Sequence, residues 1–148
     1  MPRQNWRGME AAMQFIVANP MTAPIGRTLD GKRSPRCLEI ATRARRFQVV
    51  EFDRGTPHAQ AAILSSLHTP EAVPLIMALW SGGKSMHGWF DVRALSEAAK
   101  QDFFAWAVTL GADASLWDPF KLLRMPGGRR CNAKPQPILH FNPQCLLT

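Results

Sequence analysis

The 148-residue sequence contains no tyrosine, only three cysteines and no long apolar run. Each absence removes a class of protein. Without tyrosine there is no phenolic nucleophile for a rolling-circle relaxase, which would also require a His-x-His pair. Cys37, Cys131 and Cys145 are odd in number and form no Cys-x-x-Cys pair, so a reducing cytoplasm fits them better than a disulfide framework. Cys131, His140 and Cys145 also lack the close spacing and fourth partner of a zinc site. The longest apolar stretch, Ala72 to Trp80, spans nine residues and includes Pro74, far short of the roughly 18–20 that cross a bilayer. No charged-then-apolar segment opens the chain, so neither a secretory signal nor a membrane partner is expected. Acidic residues are scarce too: eleven Asp and Glu face eighteen Lys and Arg, and none follows Asp118.

What is present suits one globular domain. Apolar residues make up 46% and charged residues 20% of the chain, which excludes wholesale disorder. The net charge is +7, and thirteen of the basic residues are arginine, whose planar fork matches phosphate oxygens. Seven basic residues lie between Arg27 and Arg46, and five more follow Asp118. Such blocks point to a polyanionic partner, nucleic acid or nucleotide.

Hydrophobic patterning predicts a short helix from Met9 to Val17 and a loop from Pro20 to Ser34. A strand follows at Phe47–Asp53, then a helix from Thr56-Pro57 to Leu67 with Ala61, Ile63, Leu64 and Leu67 inward. Leu75–Trp80 and Ser85–Phe90 read as a hairpin around Ser81-Gly82-Gly83-Lys84. Ser96 caps a helix to Leu110, with Ala99, Phe103, Trp106 and Leu110 as its core stripe. Leu122–Met125 and Pro137–Phe141 read as a last strand pair. The pattern is α+β with a largely antiparallel sheet.

Three elements can do chemistry. Glu51 and Asp53 lie two apart on one strand face, where carboxylate repulsion is relieved by a cation, whether a neighbouring arginine or Mg²⁺. Ser85, His87 and Trp89 share one face of the second hairpin strand. A hydroxyl, an imidazole and the nearby Lys84 ammonium can hydrogen-bond triphosphate oxygens, although a lone strand histidine also suits a core. Ser81–Ser85 is no P-loop, because the glycine spacing fails and a strand follows. Finally, Asp118 sits at an apolar-to-polar boundary before Arg124-Met125-Pro126-Gly127-Gly128-Arg129-Arg130.

Glu51-x-Asp53, Ser85-x-His87 and Asp118 occur in the order and context of the three motifs of the archaeo-eukaryotic primase superfamily. The chain most resembles the primase-polymerase domains of plasmid and phage replication proteins. The resemblance runs from about Arg46 to Phe141, with Ser81–Trp89 as its most specific part. Residues 46–141 would then be the catalytic core, and 1–45 a helix plus basic loop region. It implies an RRM-like, largely antiparallel sheet with flanking helices, and primer synthesis by two-metal nucleotidyl transfer on a single-stranded DNA template.

Several residue roles follow from the resemblance. Glu51, Asp53 and Asp118 would hold Mg²⁺ or Mn²⁺. Ser85 and His87, with Lys84 and Arg124, would contact the nucleoside triphosphate. Arg43, Arg45, Arg46, Arg129 and Arg130 would hold nucleic-acid phosphates without reading sequence. The implied partner is a replicative helicase or helicase domain, in the cytoplasm. Two departures stand out. The first motif opens with Glu rather than Asp, and many relatives continue into a further domain, so a minimal module or a fragment of a replication protein is expected. Two other readings compete: a catalytically inactive nucleotide- and nucleic-acid-binding module, and a metal-dependent nuclease.

Overall fold

A computed structural model describes residues 9–42 and 44–146. Four strands build the main sheet: β4 (Phe47–Phe52), β5 (Leu75–Trp80), β6 (Met86–Asp91) and β8 (Ile138–Phe141). Their order is β4-β6-β5-β8, antiparallel throughout. Helix α1 (Pro57–Leu67) links β4 to β5, which are therefore parallel and split by β6 between them. This is the split βαβ arrangement. Helix α2 (Glu97–Thr109) follows β6.

Both helices begin where their capping chemistry dictates. The Thr56 hydroxyl accepts from the Ala59 amide with Pro57 in the first turn, and the Ser96 hydroxyl accepts from the Ala99 amide. One sheet face packs Val50, Phe52, Met86 and Phe90 against Leu64 and Leu67 of α1 and Ala107 of α2. Gly88 makes the approach of α1 possible: a Cβ there would stand 2.6 Å from Leu64 Cδ2. The opposite face packs Val49, Leu79 and Trp89 against Phe104, Leu116 and Leu123.

Four local expectations are corrected. The segment expected as a helix from Met9 to Val17 is a 3₁₀ turn at Glu10–Ala12 followed by strand β1 (Phe15–Ile16). β1 pairs with β7 (Leu123–Arg124), so β7 does not pair with β8 as patterning suggested. The basic stretch read as loop contains a hairpin of β2 (Gly26–Arg27) and β3 (Arg33–Ser34). In α2 the buried positions are Lys100, Phe104 and Ala107, one residue round from the expected stripe, and Trp106 is 59% exposed. Aromatics on nearly every turn left the helix phase ambiguous. Among the described residues, no helix is long and apolar enough to cross a membrane.

Candidate functional site

Register brings the first two motifs together. Glu51 on β4 pairs with His87 on β6, and Leu79 on β5 continues the row. The Asp113 amide also donates to the Glu51 carbonyl at 3.0 Å, pinning the edge strand from its other side. His87 Nε2 lies 3.5 Å from Glu51 Oε2 and 3.4 Å from Ser85 Oγ. Ser85 Oγ in turn donates to Ser81 Oγ at 2.9 Å. A carboxylate, an imidazole and two hydroxyls thus form one polar row on the sheet face.

Exposure divides this row into a floor and a mouth. Ser81, Ser85 and His87 are buried, the histidine side chain being 4% exposed, whereas Glu51 is 24% exposed. The accessible groups are Asp53 and Lys84, which form a 2.6 Å ion pair at the end of the hairpin. Arg124 reaches the same region from β7, held by a 3.2 Å hydrogen bond to Gln14 Oε1 and stacked over Phe15. Burial pushes the Glu51 carboxyl up. The His87 hydrogen bond and charge, the Ser85 hydroxyl and the Arg124 charge together outweigh it and hold the group below the usual glutamate range. Burial, then the Arg130 charge, lower the Arg124 guanidinium, with Glu51 opposing; it stays protonated at neutral pH. His87 Nδ1 is buried with no hydrogen-bond partner among the described residues. Such an atom calls for a water or ligand.

Arg130 joins this region. Its Nη1 donates to the Ser81 carbonyl at 3.4 Å, across the Ser81–Lys84 turn. Arg129 is exposed, and its guanidinium donates to the Ala133 carbonyl. Arg45 is buried: it stacks on Trp117 at 4.0 Å and bonds Gln48 Oε1 and the Trp117 carbonyl. Its guanidinium is committed to the fold. Arg46 stacks over Phe47 at 5.0 Å. Arg43 lies outside the described residues.

The three carboxylates do not converge. Asp118 follows the Ala114–Trp117 turn and lines a pocket with Arg45, Phe47 and Gln48, at the start of β4, while Glu51 lies at its end. Among the described residues, no group of three His, Cys, Asp or Glu side chains is placed to share one metal ion. Glu51 and Asp53 lie two residues apart at the end of β4, and Mg²⁺ commonly takes one or two carboxylates with water and substrate phosphates completing its shell. Sequence reasoning missed Ser81 as part of the polar row, and Gln14 as the residue that orients Arg124. Ser81 was legible as the hairpin's first residue, but nothing in the sequence signals a contact spanning 110 residues. Comparison with protein-family models, with curated proteins and with solved structures returned no match.

Proposed function

We propose that this chain is a primase-polymerase-type nucleotidyltransferase core that binds a nucleoside triphosphate at the Glu51–His87–Arg124 end of its sheet. The observation that carries the reading is the meeting there of two cations, two carboxylates and a buried hydroxyl–imidazole row, with His87 Nδ1 open to a further bond. In this reading Lys84 and Arg124 take phosphate oxygens directly, while Ser85 and His87 form the floor and position Glu51. Glu51 and Asp53 would hold Mg²⁺ or Mn²⁺, which neutralises triphosphate charge. Asp118 does not complete that set, and no step is assigned to it. The β-α-β-β-α-β element order supports the finer RRM-like description, while the closing strand departs from it: β8 pairs at the β5 edge and not beside β4. The excess of arginine supports a nucleic-acid template, and single-strandedness and a helicase partner belong to the same reading.

The separation of Asp118 from the pair favours one alternative, a module that binds nucleotide and template without turnover. Primer synthesis on a single-stranded template with labelled nucleotides and Mg²⁺ or Mn²⁺ separates the two. Extended product that disappears with Glu51→Gln supports the enzyme. Tight triphosphate binding without product supports the binding module.

A further inference from the structure

The β2–β3 hairpin projects a single large apolar side chain from its tip. Leu29 is 99% exposed, more than any other large apolar residue described. It makes no contribution to the core, yet the tip that carries it is tightly ordered by local bonds. The Thr28 amide donates to the Lys32 carbonyl at 2.9 Å, the Gly31 amide donates to the Thr28 carbonyl at 2.8 Å, and the Lys32 amide donates to Thr28 Oγ1 at 3.0 Å. Gly31 turns the chain at φ +80°, with nothing within 4 Å of where its Cβ would be. The base is anchored instead: a Cβ on Gly26 would meet Ile40 Cγ2 at 2.6 Å. The arm is fixed at its root and free-standing at its end.

Beneath the arm runs a cleft of about 1360 Å³, lined by Arg27, Leu29, Arg36, Leu38, Trp117 and Phe120 among others. Four carboxylates line it as well, Asp118 among them, and three are engaged. Asp30 pairs with Lys32 at 2.6 Å, Glu97 pairs with Lys100 at 2.7 Å, and Glu39 accepts from the Arg27 amide. Arg27, Arg33 and Lys32 remain exposed on the hairpin itself. Exposed cations on a hairpin beside an apolar floor are the combination by which proteins hold single strands, phosphates on cations and bases on apolar faces. Leucine is also among the side chains that wedge against unstacked base steps.

We propose that this cleft takes single-stranded nucleic acid, with Leu29 packing on a base and Arg27, Arg33 and Arg36 holding the flanking phosphates. The inference rests on the reading that the chain works on a single-stranded template, and it assigns that contact to the hairpin arm rather than to Arg45 or Arg46. A duplex hides its base faces.

The test is fluorescence anisotropy of a labelled oligothymidine against Leu29→Ser, Leu29→Trp and Arg27→Gln. A side chain with no packing partner can be replaced without unfolding the protein. Leu29→Ser should weaken binding roughly threefold to tenfold, and Leu29→Trp should tighten it by offering a stacking face. Arg27→Gln should lower the slope of log affinity against log salt by about 0.7. Unchanged affinity for both Leu29 variants overturns the proposal. So does loss of binding to phosphatidylserine vesicles in Leu29→Ser with oligothymidine affinity intact, which would make the arm a membrane contact. If the wild-type protein binds no oligothymidine, the proposal falls together with the template reading. A triphosphate titration of the same sample then shows whether the nucleotide site stands without it.

Discussion

A Cβ on Gly83 would stand 2.7 Å from Arg130 Nη1, so the hairpin turn is shaped to admit a guanidinium from a loop 47 residues further along the chain. Gly82 beside it is constrained differently. Its φ is +73°, and a Cβ would lie 2.7 Å from the Pro135 carbonyl. Gly83→Ala should therefore cost little stability, within about 0.5 kcal/mol, because only the flexible end of Arg130 must move. Gly82→Ala should cost roughly 1–3 kcal/mol, from strain at a positive φ and a clash with fixed backbone. Urea unfolding of both variants checks the contrast.

Arg45 should behave as a structural residue. Truncation to alanine strips Gln48 Oε1 and the Trp117 carbonyl of their donor and removes the stack on Trp117. A loss of about 2–3 kcal/mol is expected, since buried partners are left unsatisfied. Template affinity of the folded fraction should be unchanged. Denaturant titration and anisotropy on the same preparation check both halves.

Glu51 makes the fold acid-sensitive. Its carboxyl is held below the usual range, so its ionised form stabilises the folded state at neutral pH. That contribution is present above the unfolded-state value, and is lost as pH falls through that value and then through the lower folded one. Glu51→Gln should be less stable than wild type at pH 7, yet lose less stability between about pH 5 and pH 3. Thermal melts across that range read the slope directly.

The metal preference of the site divides the three carboxylates. Mn²⁺ binding in the presence of a triphosphate should weaken in Glu51→Gln and in Asp53→Asn. Asp118→Asn should leave it unchanged within about twofold, because Asp118 lies beside Arg45 at the far end of β4. Calorimetric titration with Mn²⁺ checks this. An Asp118 effect as large as that of Glu51 would show that the segment after α2 rearranges to join the site.

The central α+β pattern was legible because its signals are local. Thr56-Pro57 and Ser96 announce helix starts, and Gly82-Gly83 announces a hairpin. Period-two alternation correctly placed Glu51 with Val49, and Ser85 with His87, on one sheet face. The rest depended on long-range pairing. Two-residue strands such as Phe15–Ile16 and Leu123–Arg124 carry too little pattern to announce themselves. The burial of Arg45 was hidden because its partner Trp117 is 72 residues away. Likewise, two carboxylates on one strand could be placed by spacing alone, whereas the position of Asp118 depended on how the turn after α2 folds back.

The most direct test of the account is triphosphate affinity, measured beside melting temperature, for wild type, Arg124→Ala and His87→Ala. If Arg124 takes phosphate, Arg124→Ala should lose roughly tenfold to a hundredfold in triphosphate affinity, the value of a charge-assisted hydrogen bond, and His87→Ala, which releases Glu51, should lose affinity as well. Oligothymidine affinity should be retained in both. Triphosphate affinity that is unchanged in well-folded Arg124→Ala and His87→Ala would contradict the account.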